Sequence, residues 1–180
     1  MKIEINKAIE ILKKGGLVLY PTDTIWGIGC DATNENAVAK VFELKQRNES
    51  KALISLVGDK KQLISLSKQL PKEAENDKPT TIIYNNISGL AKNLIAKDGT
   101  VGIRIVQDHF CKQLIQKFGK PIVSTSANIT GQETPKQFSE ISDEIKINVD
   151  YIVSLRQNEI MSNPSDILLI NEDGSVKKIR

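Results

Sequence analysis

Short apolar runs rich in β-branched residues recur along this chain of 180 residues, separated by stretches whose apolar positions repeat every three or four residues. A run that short fits one strand and is too short for a core helix, so the pattern restricts the fold to strands alternating with helices. Residues 17–22 (LVLYPT) read as a strand ended by Pro21. After a glycine-containing turn, Thr33 or Asn34 caps a helix whose apolar stripe is Ala37, Val38, Val41, Phe42 and Leu44. Residues 52–57 are a buried strand, Asp59 caps a helix ending at Pro71, and Thr80–Tyr84 is another strand. Residues 87–96 read as helical, residues 100–106 (TVGIRIV) alternate like a strand, and residues 108–118 form a helix closed by Gly119. Residues 121–125 follow as a strand, then a helix opened by Thr134 and Pro135, then strands over 151–154, Asp166–Ile170 and 175–179. The Asn-Glu-Asp-Gly turn at 171–174 makes the last two an antiparallel hairpin. The whole predicts an α/β fold with a twisted mixed sheet, in a single domain over residues 1–180.

The length suits one domain, since such units run to about 100–200 residues, and a chain of this size buries about 70% of its unfolded surface. The composition, 39% hydrophobic and 26% charged, is that of an ordinary soluble protein, and no apolar stretch approaches a membrane span. Charge recurs in every turn of MKIEINKAIE, which excludes a secretory signal, so a cytoplasmic location is expected. Cys30 and Cys111 have no second cysteine or histidine near them at ligand spacing, so they read as buried free thiols and no metal site is predicted.

The net charge of +3 is too small to announce a nucleic-acid partner by itself. Its placement is informative, because Lys40, Lys45, Arg47, Lys51, Lys60 and Lys61 face only Glu43, Glu49 and Asp59 within residues 40–61. That stretch is either a solvated basic face or a place for an anion. No phosphate loop of the GxxxxGK[ST] type and no GxGxxG occurs. His109 is the sole histidine and sits beside the cap Asp108, which argues against a Ser-His-Asp triad. An enzyme built from this chain therefore works by positioning charge rather than by covalent or acid–base chemistry.

Polar groups concentrate where the strands do not need them. PTDT (residues 21–24) ends one strand, and STSAN (residues 124–128) places three hydroxyls and an amide directly after Pro121, Ile122 and Val123. Left buried without partners, each would cost on the order of 1–3 kcal/mol. Arg104 lies inside an otherwise apolar strand, where it requires an anionic ligand or a structural carboxylate partner. In open α/β sheets, ligands collect outside strand ends, and these segments sit at such ends.

In order and approximate spacing, PTDTIWGIGCDATNENAVAKVFELKQR, TVGIRIV, KPIVSTSANITGQETP and NPSDI resemble the YrdC/TsaC family of L-threonylcarbamoyladenylate synthases, from about residue 17 to residue 180. The resemblance implies a twisted α/β fold around a large basic cavity. It implies an enzyme, a nucleotidyltransferase, that joins L-threonine, bicarbonate and ATP into threonylcarbamoyl-AMP and pyrophosphate for modification of adenosine 37 in tRNA. Magnesium bound with the ATP is the implied cofactor, and separate threonylcarbamoyl-transfer proteins are implied downstream. Family members also bind double-stranded RNA, which adds RNA or tRNA to the expected partners. Position by position, the resemblance assigns Thr24, Arg104, Ser124, Ser165 and Asp166 to threonine. It assigns Arg47, Lys51, Thr100, Ser126, Asn128, Thr134 and Arg180 to ATP, and catalysis to Lys45, Arg47, Ser126 and Asn128. Asn48 stands where proline is common in the family, and Leu56 where many relatives carry histidine. The competing readings are a non-catalytic module for double-stranded RNA and a carbamoyl-transfer domain; the first leaves Arg104 and STSAN without a role.

Overall fold

The apolar runs pair into one mixed sheet in the computed structural model, which describes residues 1–46, 53–162, 164–171 and 173–179. Its strands are β1 (Val18–Pro21), β2 (Trp26–Gly29), β3 (Ile54–Val57), β4 (Thr80–Tyr84), β5 (Val101–Ile105), β6 (Ile122–Ser126), β7 (Tyr151–Ile152), β8 (Asp166–Ile170) and β9 (Val176–Lys178). They lie in the order β7-β1-β2-β6-β3-β5-β4-β8-β9. β1 with β7, β3 with β5 and β4 with β8 are parallel, and the other neighbours are antiparallel, including the expected hairpin of β8 with β9. The helices are α1 (Lys2–Lys13), α2 (Glu35–Leu44), α3 (Lys60–Leu66), α4 (His109–Phe118) and α5 (Asp143–Ile147). None of the described helices is long and apolar enough to cross a membrane.

Local chemistry accounts for the helix ends. Asn34 caps α2 by accepting from the N–H groups of Asn36 and Ala37, and Asp59 and Asp108 cap α3 and α4 in the same way. Gly119 closes α4 in the left-handed region at φ 81°. Four sequence expectations are corrected. Residues 87–96 form only a 3-10 turn at Lys92–Leu94, because Gly89 adopts φ 84° and interrupts the helical path. No helix starts at Thr134 and Pro135; the first helical turn there is a 3-10 turn at Phe138–Glu140, and Ser142 caps α5. α3 stops at Leu66 rather than Pro71, since Ser67 is extended. The expected turn after Asp23 leads directly into the additional strand β2, whose WGIG sequence lacks an alternating pattern.

The two faces of the sheet are covered differently. Val101 and Ile103 of β5, Val57 of β3 and Val123 of β6 pack on one side with the stripe of α2 (Ala37, Val38, Val41 and Phe42). On the opposite side α1 and α4 cover Leu56 and Ile122 with Ile5, Leu12, Phe110, Leu114 and Ile115. In register, Leu56 pairs with Ile122, and Ile54 pairs with Ser124. Leu56 also pairs with Arg104. Alternation along the strands puts Ile54, Arg104 and Ser124 on the same face as Leu56, where the sheet continues past the helices. Cys30 and Cys111 are buried free thiols, as expected, and burial pushes both thiols up.

Tight packing behind this face is clearest at Gly29. A Cβ there would meet the Val123 carbonyl oxygen and, at 2.7 Å, the Tyr20 ring. Tyr20 holds that carbonyl through its hydroxyl at 2.9 Å, so neither neighbour is free to give way. We expect Gly29→Ala to lower stability by about 1–3 kcal/mol, the usual penalty for overpacking, read as a shift of the urea midpoint at constant slope.

Candidate active site

Beyond α1 and α4 the exposed part of the sheet face floors a cavity of about 520 Å³. Thr24, Arg104, Ser124, Ser126, Thr134 and Ser165 all line it, so the fold brings these six positions, scattered over the sequence, to one cavity. Ile25, Leu53, Ile54, Met161 and Ile167 supply apolar wall between them. The described cations of the lining are Arg104 and Lys136.

Arg104 is the least expected occupant of a strand and is 2% exposed. Its Nη2 lies 2.9 Å from Asp23 Oδ1, with the Asp23 side chain 7% exposed. The structural-carboxylate alternative for Arg104 is therefore realised, with a qualification from geometry. The approach is off-angle, since Asp23 Oδ1 and Arg104 Nε have no hydrogen-bond partner among the described residues. A buried guanidinium with an unused N–H beside a cavity is ready to take an anion in addition to its internal partner. Arg104 Nη2 also donates to Thr24 Oγ1 at 3.4 Å.

The turn between β1 and β2 holds Asp23 and Thr24 against that arginine. Thr22 Oγ1 donates to the Ile25 carbonyl at 2.7 Å, accepts from the Thr24 and Ile25 N–H groups, and lies 3.0 Å from Thr24 Oγ1. This is a hydroxyl-built turn, in which the side chain replaces backbone partners. From the α4 side, the Gln107 N–H donates to Asp23 Oδ2 and the Cys111 thiol donates to the Pro21 carbonyl. Gly27 leaves room across from the turn, since a Cβ there would be 3.0 Å from Ser124 Oγ.

STSAN forms the last three residues of β6 and the turn after it. Its hydroxyls alternate, with Ser124 and Ser126 at the cavity and Thr125 contributing from the strand end. Ser126 Oγ donates to Asn128 Oδ1 at 2.5 Å, and Asn128 Nδ2 donates to the Gln132 carbonyl. Lys45, 2% exposed, supports the turn from behind. Its Nζ donates to the Ser126 and Asn128 carbonyls, both at 2.6 Å, and lies 3.4 Å from Asn128 Oδ1. Lys45 and Asn128 are thus absent from the cavity lining and act on it through Ser126.

Two assigned positions lie elsewhere. Thr100 precedes β5 at the end away from Arg104, about 13 Å of strand distant, and its hydroxyl donates to Asp98. Asp166 is turned away by strand alternation, because Ser165 and Ile167 face the cavity on either side of it. Its carboxylate pairs with Lys78 at 2.9 Å and Lys178 at 3.1 Å, which hold its carboxyl below the usual range. Arg47, Lys51 and Arg180 lie outside the described residues. Conversely, Asp23 and Lys136 were not assigned from sequence. A buried arginine demands an acid, and Asp23 stands inside the quoted PTDT; nothing in the pattern around Lys136 marks it.

A family model described as telomere recombination, covering the Sua5, YciO and YrdC proteins, matches residues 10–180. The threonylcarbamoyl-AMP synthase of Pseudoalteromonas translucida is 33% identical over 159 residues, which span 83% of this chain and 84% of that protein. The threonylcarbamoyl-AMP synthase of Hahella chejuensis is 30% identical over 169 residues, 91% of each chain. Among solved structures, P. abyssi Sua5 complexed with L-threonine superposes with a TM-score of 0.86 at 26% identity, covering 100% of this chain. This chain spans 54% of that longer Sua5 chain. E. coli YciO, at a TM-score of 0.84 and 23% identity over 100% of this chain and 89% of its own, shares the fold.

The internal pairing makes a direct prediction. Asp23→Asn leaves Arg104 buried beside a neutral amide, and breaking such a pair costs about 3–5 kcal/mol. Combining it with Arg104→Met should restore a large part of that loss, so chemical denaturation of the double variant should give less destabilisation than the sum of the two single changes.

Proposed function

The chain belongs to the Sua5/YciO/YrdC family, and from that premise we propose that it is a threonylcarbamoyl-AMP synthase, acting as a nucleotidyltransferase on ATP, L-threonine and bicarbonate. The observation that carries the reading is the convergence of Thr24, Arg104, Ser124, Ser126, Thr134 and Ser165 on one cavity. Threonine and bicarbonate condense to N-carboxy-threonine with loss of water. A carbamate oxygen then attacks the α-phosphorus of ATP, forming the mixed anhydride as pyrophosphate departs. Both partners are anions, so their approach depends on cations and on alignment rather than on a general base.

Arg104 takes the threonine carboxylate through the N–H that its pairing with Asp23 leaves free, while Thr24 and Ser124 orient the amino acid. Ser165 completes that side. Ser126 and Thr134 face the nucleotide, with Lys45 and Asn128 holding Ser126 in place. Arg47, Lys51 and Arg180 add phosphate contacts, and the exposed Lys136 of the lining supplies a further cation near Thr134. Magnesium arrives on the ATP phosphates as part of the substrate, and there it neutralises charge. The product passes to transfer proteins that modify tRNA, so transient RNA contact on the basic stretch at 40–61 fits the same role.

Pyrophosphate release measured with threonine and bicarbonate each added or omitted tests the reading. Release that requires both is expected; release indifferent to threonine points to carbamoyl transfer, and none at all points to an RNA module. Within an active enzyme, Arg104→Ala should raise the KM for threonine and Lys51→Ala the KM for ATP. Each lost cation should cost about 2.7–4 kcal/mol of barrier, by analogy with a lost oxyanion donor, and identical kinetics for both variants would overturn these assignments.

A further inference from the structure

Arg156 has no role in the reaction as described, yet it is one of three non-glycine residues with positive φ among the described residues, at 58°. A left-handed arginine persists only where surrounding contacts over-determine it. Those contacts are specific. Nη1 lies 2.7 Å from Asp108 Oδ2 and donates to the Thr22 carbonyl at 3.1 Å, while Nε donates to Glu159 Oε2 at 2.7 Å. Asp108 is itself fixed, because its Oδ1 caps α4 by accepting from the Cys111 N–H.

The guanidinium therefore joins three parts of the fold. Through Thr22 it grips the turn that presents Thr24 to the cavity and Asp23 to Arg104. Through Asp108 it fastens that turn to the start of α4, beside the Cys111 contact with the Pro21 carbonyl. The Arg156 backbone begins the stretch that leads to Met161 and Ser162, which also line the cavity. That stretch is anchored again where the Met161 N–H donates to the Lys136 carbonyl at 2.6 Å. Beyond it, Ser165 Oγ is 2.9 Å from Thr81 Oγ1. The Thr24 turn and the lining at Met161 and Ser165 are thus tied through one side chain whose rigid planar fork holds a carbonyl and two carboxylates in a fixed geometry, which the flexible point charge of a lysine does not impose.

We infer that Arg156 is a positioning residue for the amino-acid side of the cavity, setting the separation between the Thr24 turn and the wall that carries Met161 and Ser165. The inference rests on the proposed use of that side for threonine. It extends to selectivity: a wall held at fixed distance can discriminate threonine from serine by one methyl group, and a slack wall cannot.

Calorimetric binding of L-threonine and of ATP to the full chain, together with KM for each substrate and the threonine-to-serine ratio of kcat/KM, tests this. Arg156→Met should weaken threonine binding and raise its KM by roughly tenfold, the scale for residues that act without touching the ligand. ATP binding should change by less than about twofold on the same scale, and selectivity against serine should fall. Arg156→Lys keeps a cation for Asp108 without the fork and should fall between, and it serves if the methionine variant does not fold. Threonine affinity and selectivity unchanged in both Arg156 variants would overturn the inference, as would equal losses for threonine and ATP tracking a lowered melting temperature. A wild-type chain that neither binds threonine nor releases pyrophosphate with it would overturn the functional reading and this inference together.

Discussion

Arg104 and Asp23 place opposite charges in the wall of the cavity with almost no access to water. The attraction between them offsets a desolvation penalty of several kcal/mol per ion, so such a pair is a poor source of stability. Its value lies in preparation. The guanidinium is already stripped of water and oriented, and its Nε remains without a partner among the described residues. An anion arriving there meets a donor in a low-dielectric surrounding, where the interaction is stronger than in water. Asp23 precedes Thr24 in the same turn, so the pair also fixes the hydroxyl that borders the cavity.

The position of that wall follows from how far the helices reach. α1 and α4 bury Leu56 and Ile122 and cover Ile54 only in part, while the neighbouring strand continues to Ser124. A sheet face left uncovered must either be apolar and sticky or be furnished with polar groups that water or a ligand can satisfy. This chain does the second, with hydroxyls from β6, from the β1–β2 turn and from the segment before β8. The strands that build the core and the strands that carry the site are the same strands read at different depths.

Much of this was legible in sequence because strand cores are. The β-branched runs that became β3, β4, β5, β6 and β8 could hardly be anything else, and Asn34, Asp59, Asp108 and Gly119 punctuate the helices where their chemistry predicts. β2 escaped notice because WGIG has two glycines and no alternation; its burial comes from partners on both sides. The helices expected at 87–96 and at Thr134 failed for a related reason, since backbone geometry at Gly89 and a better cap at Ser142 overrode helical composition. Site residues in motifs at strand ends could be found from sequence, but orientation could not. Thr100 and Asp166 belong to those segments but lie off the cavity lining, Thr100 because it precedes the far end of β5 and Asp166 because a one-residue alternation turns it from the face of Ser165 and Ile167. Asp23 and Arg156 depend on contacts across 81 and 134 positions, from Asp23 to Arg104 and from Arg156 to Thr22, which no local pattern encodes.

The hydrogen bonding of STSAN sets a further condition on ligand binding. Ser126 donates its proton to Asn128, and Asn128 directs its amide to the Gln132 carbonyl. A phosphate oxygen only accepts, so it needs donors that are at present turned toward one another. Exchange is nevertheless inexpensive, because Lys45 already donates to both main-chain carbonyls and lies within reach of Asn128 Oδ1. When the Ser126 hydroxyl rotates toward a phosphate, the Asn128 oxygen keeps a charged donor, and no buried acceptor is orphaned. A buried lysine behind a turn of short polar residues thus braces both main-chain carbonyls and the Asn128 oxygen, so the turn can switch partners without opening the core that supports it.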